Sequence, residues 1–386
     1  MNVKNLESLK YKRGLYTYLD LLIIEALGKY GPRNLNKIAK SLKIPESTVR
    51  YRIKKMKEKG LLFLSTSVYH TNIGLKKNVV FTDINPIFYE YMPKFFRSLG
   101  YWSYVRHVHG DHEGFHTLYI APAKNVNEVR RFVRGMKKLD LIYNYNIYYS
   151  TCLYGVKPST KWYDLKSNRW EFKWDTLKDS IENADTELPF NLKDPDGYPI
   201  LADYMDIVIL KELELDPTIT YNELAEKLNT TPQNIYYHYR KHIIKNNLIE
   251  GFEISFRKFN PNRSLVIYFI TRFPSYDYFA KTANVFRELP IIHSMGKIIG
   301  SNGLFYVVYL PVEEVPRLFD TMNELVELGF IKDYEYRYAH YKDYAARQTL
   351  AYKKFKNGEW EFPFEEYMNE LYQHYEEALR KIRINS

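Results

Sequence analysis

Two groups of side chains in this 386-residue sequence have the types and spacing to do chemistry. The first is a basic run, residues 45–59. Val49, Ile53 and Met56 recur at i, i+4 and i+7, a stripe that packs inward on a helix. Ser47, Thr48, Tyr51, Lys54 and Lys55 then face outward, with Arg50 and Arg52 flanking the stripe. Such a helix fits the DNA major groove, where hydroxyl, guanidinium and ammonium groups reach base edges and phosphates. All seven are candidate DNA contacts, and double-stranded DNA is the expected partner.

The second group is a histidine cluster: His107, His109, His112 and His116, with Asp111 and Glu113 between them. Imidazole and carboxylate together suit zinc, nickel or iron. His107 and His109 are two apart on a strand and share a face. His112 and His116 belong to the next turn and strand. A plain polar turn at an interface fits as well, and Gly110-Asp111 is a candidate effector pocket. About 190 residues later stands Gly300-Ser301-Asn302-Gly303 with only His293 nearby, so any such site is not duplicated.

No catalytic constellation stands out. There is no Gly-x-Ser-x-Gly, no Gly-x-x-x-x-Gly-Lys, no Gly-x-Gly-x-x-Gly after a strand and no His-Glu-x-x-His. The expectation is a protein that is not an enzyme and carries no cofactor.

The elements that must position these groups come twice. Tyr18 to Leu62 and Tyr204 to Leu248 align: Asp20 matches Asp206, Ala39 Ala225, Leu42 Leu228, Val49 Ile235 and Lys55 Lys241. Asn127-Glu128-Val129 matches Glu313-Glu314-Val315, Met136 matches Met322, and Asn168-Arg169-Trp170-Glu171-Phe172 echoes Gly358-Glu359-Trp360-Glu361-Phe362. The first half predicts helices Leu19 to Lys29, Asn34 to Leu42 and Pro45 to Lys59, the last ended by Gly60. With a short hairpin from Leu61 onward these make a winged helix-turn-helix. A βαββαβ succession follows: Asn78 to Asp83, Pro86 to Leu99, Trp102 to His109, Phe115 to Ala121, Val126 to Leu139 and Ile142 to Ser150.

The fold class is therefore α+β: two winged helix-turn-helix domains, each followed by a ferredoxin-like domain. The boundaries are a basic winged helix-turn-helix at 1–75, a ferredoxin-like domain at 76–154 and a Trp-rich appendage and linker at 155–200. A second winged helix-turn-helix at 201–260, a second ferredoxin-like domain at 261–345 and a C-terminal appendage at 346–386 complete the chain. In that appendage Tyr367, Leu371, Tyr375 and Leu379 recur every fourth residue, predicting an amphipathic helix docked on its own domain.

Charge separates the halves. Residues 1–75 hold eleven Lys and four Arg against five acidic residues, which equals the whole chain's excess of ten. A basic block predicts a polyanion partner. Residues 203–250 instead hold five basic and eight acidic residues. The second reader is weaker: Gln233, Asn234, Tyr237, Arg240 and Lys241 are its candidate contacts. The single cysteine, Cys152, permits neither an intrachain disulfide nor a Cys-based zinc site. No apolar run approaches a membrane span and Met1 to Arg13 lacks a signal-like apolar core, so a cytoplasmic location without membrane contact is expected. Scarce Gln and Cys beside abundant Lys and Glu hint at a hot habitat.

The first half resembles the Lrp/AsnC (feast/famine) transcription regulators. The resemblance rests on Asp20 with its Leu/Ile pattern, Asn36-Lys37-Ile38-Ala39-Lys40, Ser47-Thr48-Val49 with Arg52-Ile53, Gly60, and His109-Gly110-Asp111 at the second-to-third strand turn. It covers residues 15–150 well and 201–345 at lower fidelity. It implies an archaeal-type regulator that prefers certain DNA sequences, with a ligand-sensing (RAM-type) domain, an amino-acid-like effector near Gly110 and Asp111, and dimers through the ferredoxin-like domains. Two units in one chain imply an intrachain pseudo-dimer or a homodimer. Sirohaem decarboxylases are similar to the same architecture and occur as paired or fused halves; that alternative implies Arg106, His107 and His109 acting on a tetrapyrrole. An architectural chromatin protein without effector is the third reading.

Overall fold

The computed structural model describes residues 15–151, 159–164, 167 and 169–385. Cys152, Asn168 and the basic residues Lys4, Lys10, Lys12 and Arg13 lie outside the described residues. The fold is mixed α+β, with winged helix-turn-helix units at 17–62 and 203–241 and a large antiparallel sheet.

The first unit holds helices α1 (Tyr18–Tyr30), α2 (Leu35–Leu42) and α3 (Glu46–Glu58), then strand β1 (Leu62–Val68). Thr17 and Asp20 form a reciprocal capping box at the start of α1, satisfying two backbone N–H groups. Gly60, at φ +61°, takes the left-handed turn that ends α3. Strand β2 (Leu75–Ile84), helix α4 (Met92–Arg97), strands β3 (Trp102–Val108) and β4 (Gly114–Pro122), helix α5 (Val126–Lys138) and strand β5 (Ile142–Ser150) follow. The helix expected over Pro86 to Leu99 is broken into a 3-10 turn, Pro86–Tyr91, and α4, because Pro93 has no N–H to carry the ladder across.

An intervening segment holds the short strands β6 (Tyr163–Asp164) and β7 (Arg169–Trp170) and helix α6 (Leu177–Glu182). The second unit then gives α7 (Tyr204–Leu215), α8 (Tyr221–Lys227), α9 (Pro232–Tyr237) continued by a π-helical stretch His238–Ile244, and β8 (Ile249–Phe256). Next come β9 (Ser264–Arg272), α10 (Tyr276–Phe286), β10 (Ile292–Ile298), β11 (Gly303–Pro311), α11 (Val315–Glu327) and β12 (Asp333–His340). The chain ends with β13 (Ala345–Arg347), β14 (Phe355–Lys356), β15 (Glu359–Trp360) and α12 (Phe364–Asn385).

The structure departs from expectation in how the halves are joined. Neither wing folds back as its own hairpin. β1 pairs antiparallel with β8, from Leu62 opposite Phe256 to Val68 opposite Ile249, so each unit lends one strand to a shared ribbon. The nine-stranded sheet runs β12-β9-β11-β10-β5-β2-β4-β3-β13. Its two four-stranded halves meet where Ile298 of β10 pairs with Ser150 of β5. A bridge between His109 and Tyr338 joins the far edges, so the sheet curls back on itself. Val79, Phe81, Val108, Leu118, Tyr268, Phe305 and Val307 form the apolar cluster inside the curl. The alternate residues, such as Val105 and Phe115, pack under α4 and α5.

The appendages also cross over. Trp162, Trp174, Leu177 and Ile181 are buried against the second half's core, with Phe279 and Met322. α12, expected on its own domain, lies instead on α4 and α5 of the first half. Leu371 is fully buried there, Tyr375 meets Phe88, and Lys94 Nζ reaches Glu377. The stripe is the buried face of the helix, with Tyr367 and Leu371 inside; nothing in a stripe tells a helix which of two similar grooves will take it. Among the described residues no helix is long and apolar enough to cross a membrane.

Candidate ligand cavity and DNA-facing helix

Between the β1–β8 ribbon and the inside of the curled sheet lies a cavity of about 820 Å³, lined from both halves. Strand alternation turns Tyr104 and Arg106 of β3 and His116 and Leu118 of β4 toward it, together with Tyr268 of β9 and Phe305 of β11. Arg106 is 8% exposed. Its Nη2 donates to the His340 carbonyl at 2.8 Å and its Nη1 to the Tyr104 hydroxyl at 3.3 Å. Its Nε, also buried, has no hydrogen-bond partner. A buried donor without a partner is costly in a closed protein and is what an anion would satisfy. His116 is fully enclosed against Phe81, Tyr268 and Phe305, and burial pushes its imidazole down to about 3, so it is neutral.

A second cationic group enters from β13. Arg347 Nη1 donates to Glu253 Oε2 at 2.9 Å, and His293 Nε2 lies 3.6 Å from Glu253 Oε1. Burial acts to raise the Glu253 carboxyl, but His293 and Arg347 outweigh it and hold it at about 2. Glu214, at the end of α7, accepts from the Leu350 N–H at 2.7 Å, and burial pushes its carboxyl up to about 7. Burial likewise brings the Lys258 ammonium down to about 7. The wall thus combines aromatic faces, the guanidinium groups of Arg106, Arg257 and Arg347, and two groups that exchange protons near neutrality.

The histidine cluster divides. His107 Nε2 meets Glu113 Oε2 at 2.6 Å, His109 Nδ1 meets Glu113 Oε1 at 2.9 Å, and His109 Nε2 meets Asp343 Oδ2 at 2.9 Å. Burial lowers His107; at His109 burial is outweighed by Glu113 and Asp343, which raise it. His116 points to the opposite face of the sheet, into the cavity, and His112 stays exposed on the turn. The four imidazoles therefore do not converge, because one strand step reverses a side chain's face. For the same reason Arg106 lines the cavity while His107 and His109 do not.

Gly110 packs against the Arg337 side chain, where an added Cβ would stand 2.6 Å from Arg337 Cδ. Asp111 is 95% exposed, 4.0 Å from Arg337 Nη1. This turn joins the two halves.

On α3, Ser47, Arg50, Tyr51, Lys54 and Lys55 are exposed and Thr48 is half-buried. Arg50 pairs with Glu46 at 2.8 Å and Lys54 with Glu58 at 3.8 Å, both i,i+4 surface pairs of about 0.3–0.5 kcal/mol that a phosphate readily displaces. Arg52 differs from the other candidates. Its Nη1 donates to Thr17 Oγ1 at 2.9 Å and Asp20 Oδ1 at 3.0 Å, tying α3 to the start of α1. On the second unit Gln233, Tyr237, Arg240 and Lys241 are exposed, while Asn234 is half-buried and donates to Thr230 Oγ1 at 3.1 Å.

Sequence reasoning passed over Tyr104, Glu214, Glu253, Lys258, Tyr268, His293 and Arg347. They stand on six elements, β3, α7, β8, β9, β10 and β13, and on the loop after β8, and no local spacing links them.

The family model described as winged helix-turn-helix DNA-binding matches residues 17–62 and 203–241. No curated protein matches the chain by sequence. Among solved structures, the chain is similar to the siroheme decarboxylase NirDL: 12% identity over 94% of this chain and 99% of that one, with a TM-score of 0.50. A structure of AsnC from E. coli aligns at 16% identity over 36% of this chain and 92% of its own, with a TM-score of 0.25. The expectation of a protein that is not an enzyme is overturned here. The full-length fold is one that an enzyme uses, and the residues lining its cavity carry no contiguous motif by which sequence could have shown it.

Proposed function

We propose that the chain is an enzyme of the siroheme-decarboxylase kind, taking a flat, carboxylate-bearing tetrapyrrole into the central cavity. The observation that carries this is Arg106, a buried guanidinium with an unpartnered Nε in an aromatic-walled space. At about 820 Å³ the cavity lies in the upper part of the ~300–1,000 Å³ range of small-molecule sites. Tyr104, Tyr268 and Phe305 offer faces for a planar ring, and Arg106 and Arg347 offer forked donors for its carboxylates.

Decarboxylation breaks the bond between a carboxylate and its methylene carbon. Carbon dioxide leaves, the electron pair remains on the methylene carbon, and a proton closes the valence to give a methyl group. Glu214, an acid in the wall whose carboxyl burial raises to about 7, is suited to supply that proton. Arginine at the carboxylates that do not react fixes which one is exposed to loss. The test is incubation of the full chain with siroheme, with products read by mass spectrometry. Loss of carbon dioxide that disappears in Glu214→Gln supports the reading; unchanged siroheme at all enzyme levels rejects it.

A second reading stands beside it. The outward face of α3 presents Arg50, Tyr51, Lys54 and Lys55 to solvent with only weak surface partners, and residues 1–75 carry the chain's whole positive excess. This face supports binding of double-stranded DNA with some sequence preference. The similar succession of elements in each half supports a duplicated unit acting as its own pseudo-dimer, in which the cavity ligand could serve as effector.

A further inference from the structure

We infer that the second winged helix-turn-helix holds a divalent transition-metal ion, zinc by ligand chemistry, between Asp203, Asp206, His238 and His242. One ligand atom from each of the four lies within 4.8 Å of the others. His238 Nδ1 is 2.8 Å from Asp206 Oδ1 and His242 Nδ1 is 3.0 Å from Asp206 Oδ2. Asp203 Oδ2 lies 3.7 Å from the first imidazole nitrogen and 3.5 Å from the second. Those two separations are too long for hydrogen bonds. They match the ~3.4 Å ligand-to-ligand edge that a tetrahedral ion with bonds of ~2.0–2.2 Å imposes.

The carboxylates are already oriented for this. The capping box of α7 uses Asp203 Oδ1, which accepts from the Asp206 N–H at 2.9 Å, and Asp206 Oδ2, which accepts from the Asp203 N–H at 3.0 Å. Asp203 Oδ2 and Asp206 Oδ1 are left facing the imidazoles, the arrangement outer hydrogen bonds give metal ligands. Asp206 is fully buried, His238 and His242 are mostly buried, and Asp203 is 49% exposed, so an ion has a way in. The helix widens to π geometry over His238–Ile244, where both imidazoles turn to one point; such turns are frequent at functional sites.

The independent observation comes from the first unit. At the same element positions it has Thr17, Asp20, Arg52 and Met56. There a guanidinium pairs with Asp20 and Met56 is buried core. Three of the four residues have changed in the second unit, and each change is to a metal-ligating type. A solvated helix face has no reason to change at those positions together, whereas an ion needs all of them.

Chelator-stripped full chain titrated with Zn(II) or Co(II) and then desalted tests this. The expected result is one ion per chain, a tetrahedral Co(II) visible spectrum and a raised Tm with metal. His238→Ala with His242→Ala should lower retained metal below about a tenth of an equivalent, and Asp203→Asn should weaken affinity about tenfold or more. His107→Ala with His109→Ala should leave the equivalent in place, separating this site from the His107–Glu113–His109–Asp343 chain. Asp203 is exposed, so its variant reports even if the double variant does not fold. Less than a tenth of an equivalent on the parent, or full retention by the His238/His242 or Asp203 variants, overturns the assignment.

Discussion

The two winged units have the same three helices and opposite chemistry. In the first, Arg52 reaches Asp20 across the helices and the outer face of α3 is left to Arg50, Tyr51, Lys54 and Lys55. In the second, the matching inner positions hold His238 and His242 against Asp206, and the matching outer positions hold Tyr236, Tyr237, Arg240 and Lys241. The first unit carries the chain's positive excess; residues 203–250 have more acidic than basic groups. The second also gives its helix end to the cavity: Glu214 of α7 lines it, where the aligned position in α1 is Gly28. One scaffold thus supports two arrangements, one with a basic outer face and one whose matching positions turn inward.

Four results would break or sharpen this contrast. The largest effect belongs to the outer face of α3. Arg50→Ala with Lys54→Ala should weaken binding to duplex DNA by about 3 kcal/mol and flatten the log-log salt slope by about two. Gln233→Ala with Asn234→Ala should leave the DNA footprint as it was. Equal losses from both pairs would erase the distinction between the units.

Next is the inner clamp. Asp20→Ala removes the carboxylate half of the α1 capping box and the anionic partner of Arg52 and should lower unfolding free energy by about 2 kcal/mol in denaturant titration. No change would mean that the Arg52–Asp20 pair does not hold α3 against α1.

The third is the pH dependence that Glu214 gives the second unit. Burial raises its carboxyl to about 7, so it carries a proton below that pH. Turnover should fall up to tenfold per unit, about 1.4 kcal/mol, as pH rises past 7. Because the folded value lies above the unfolded one, the group's contribution to stability is full below about 4.5 and is lost as pH rises toward 7. A flat profile for turnover would remove Glu214 as the donor.

The smallest effect concerns the contact between the units. Arg33 of the first lies 4.9 Å from the ring centres of both Tyr221 and Tyr239 and donates to the Pro217 and Ile219 carbonyls. Arg33→Ala should lower stability by about 1 kcal/mol, with the two units then melting less cooperatively by calorimetry.

Much of this could be read from residues in order. The capping pair Thr17 and Asp20, the stripe Val49, Ile53 and Met56, and Gly60 each act within a few residues, so α1 and α3 lie within a residue or two of where the pattern puts them. The strands were legible because apolar alternation is local. The site was not. Arg106 and Arg347 are 241 positions apart, and they meet only because β13 adds to β3, pairing Ala345 with Arg106. The shared β1–β8 ribbon and the crossed appendages were hidden for the same reason: two similar halves offer each segment two similar docking sites. The histidine spacing misled because Arg106, His107 and His116 lie close in sequence yet on opposite faces of one sheet.

Whether the cavity takes a carboxylate-bearing tetrapyrrole is read by spectroscopic titration of the full chain with a uroporphyrin, a ring bearing eight carboxylates. Saturation at one ring per chain with a shifted visible band is expected, with at least about a hundredfold weaker binding in Arg106→Ala with Arg347→Ala. An unshifted band on the parent chain, or equal affinity in the arginine variant, would contradict it.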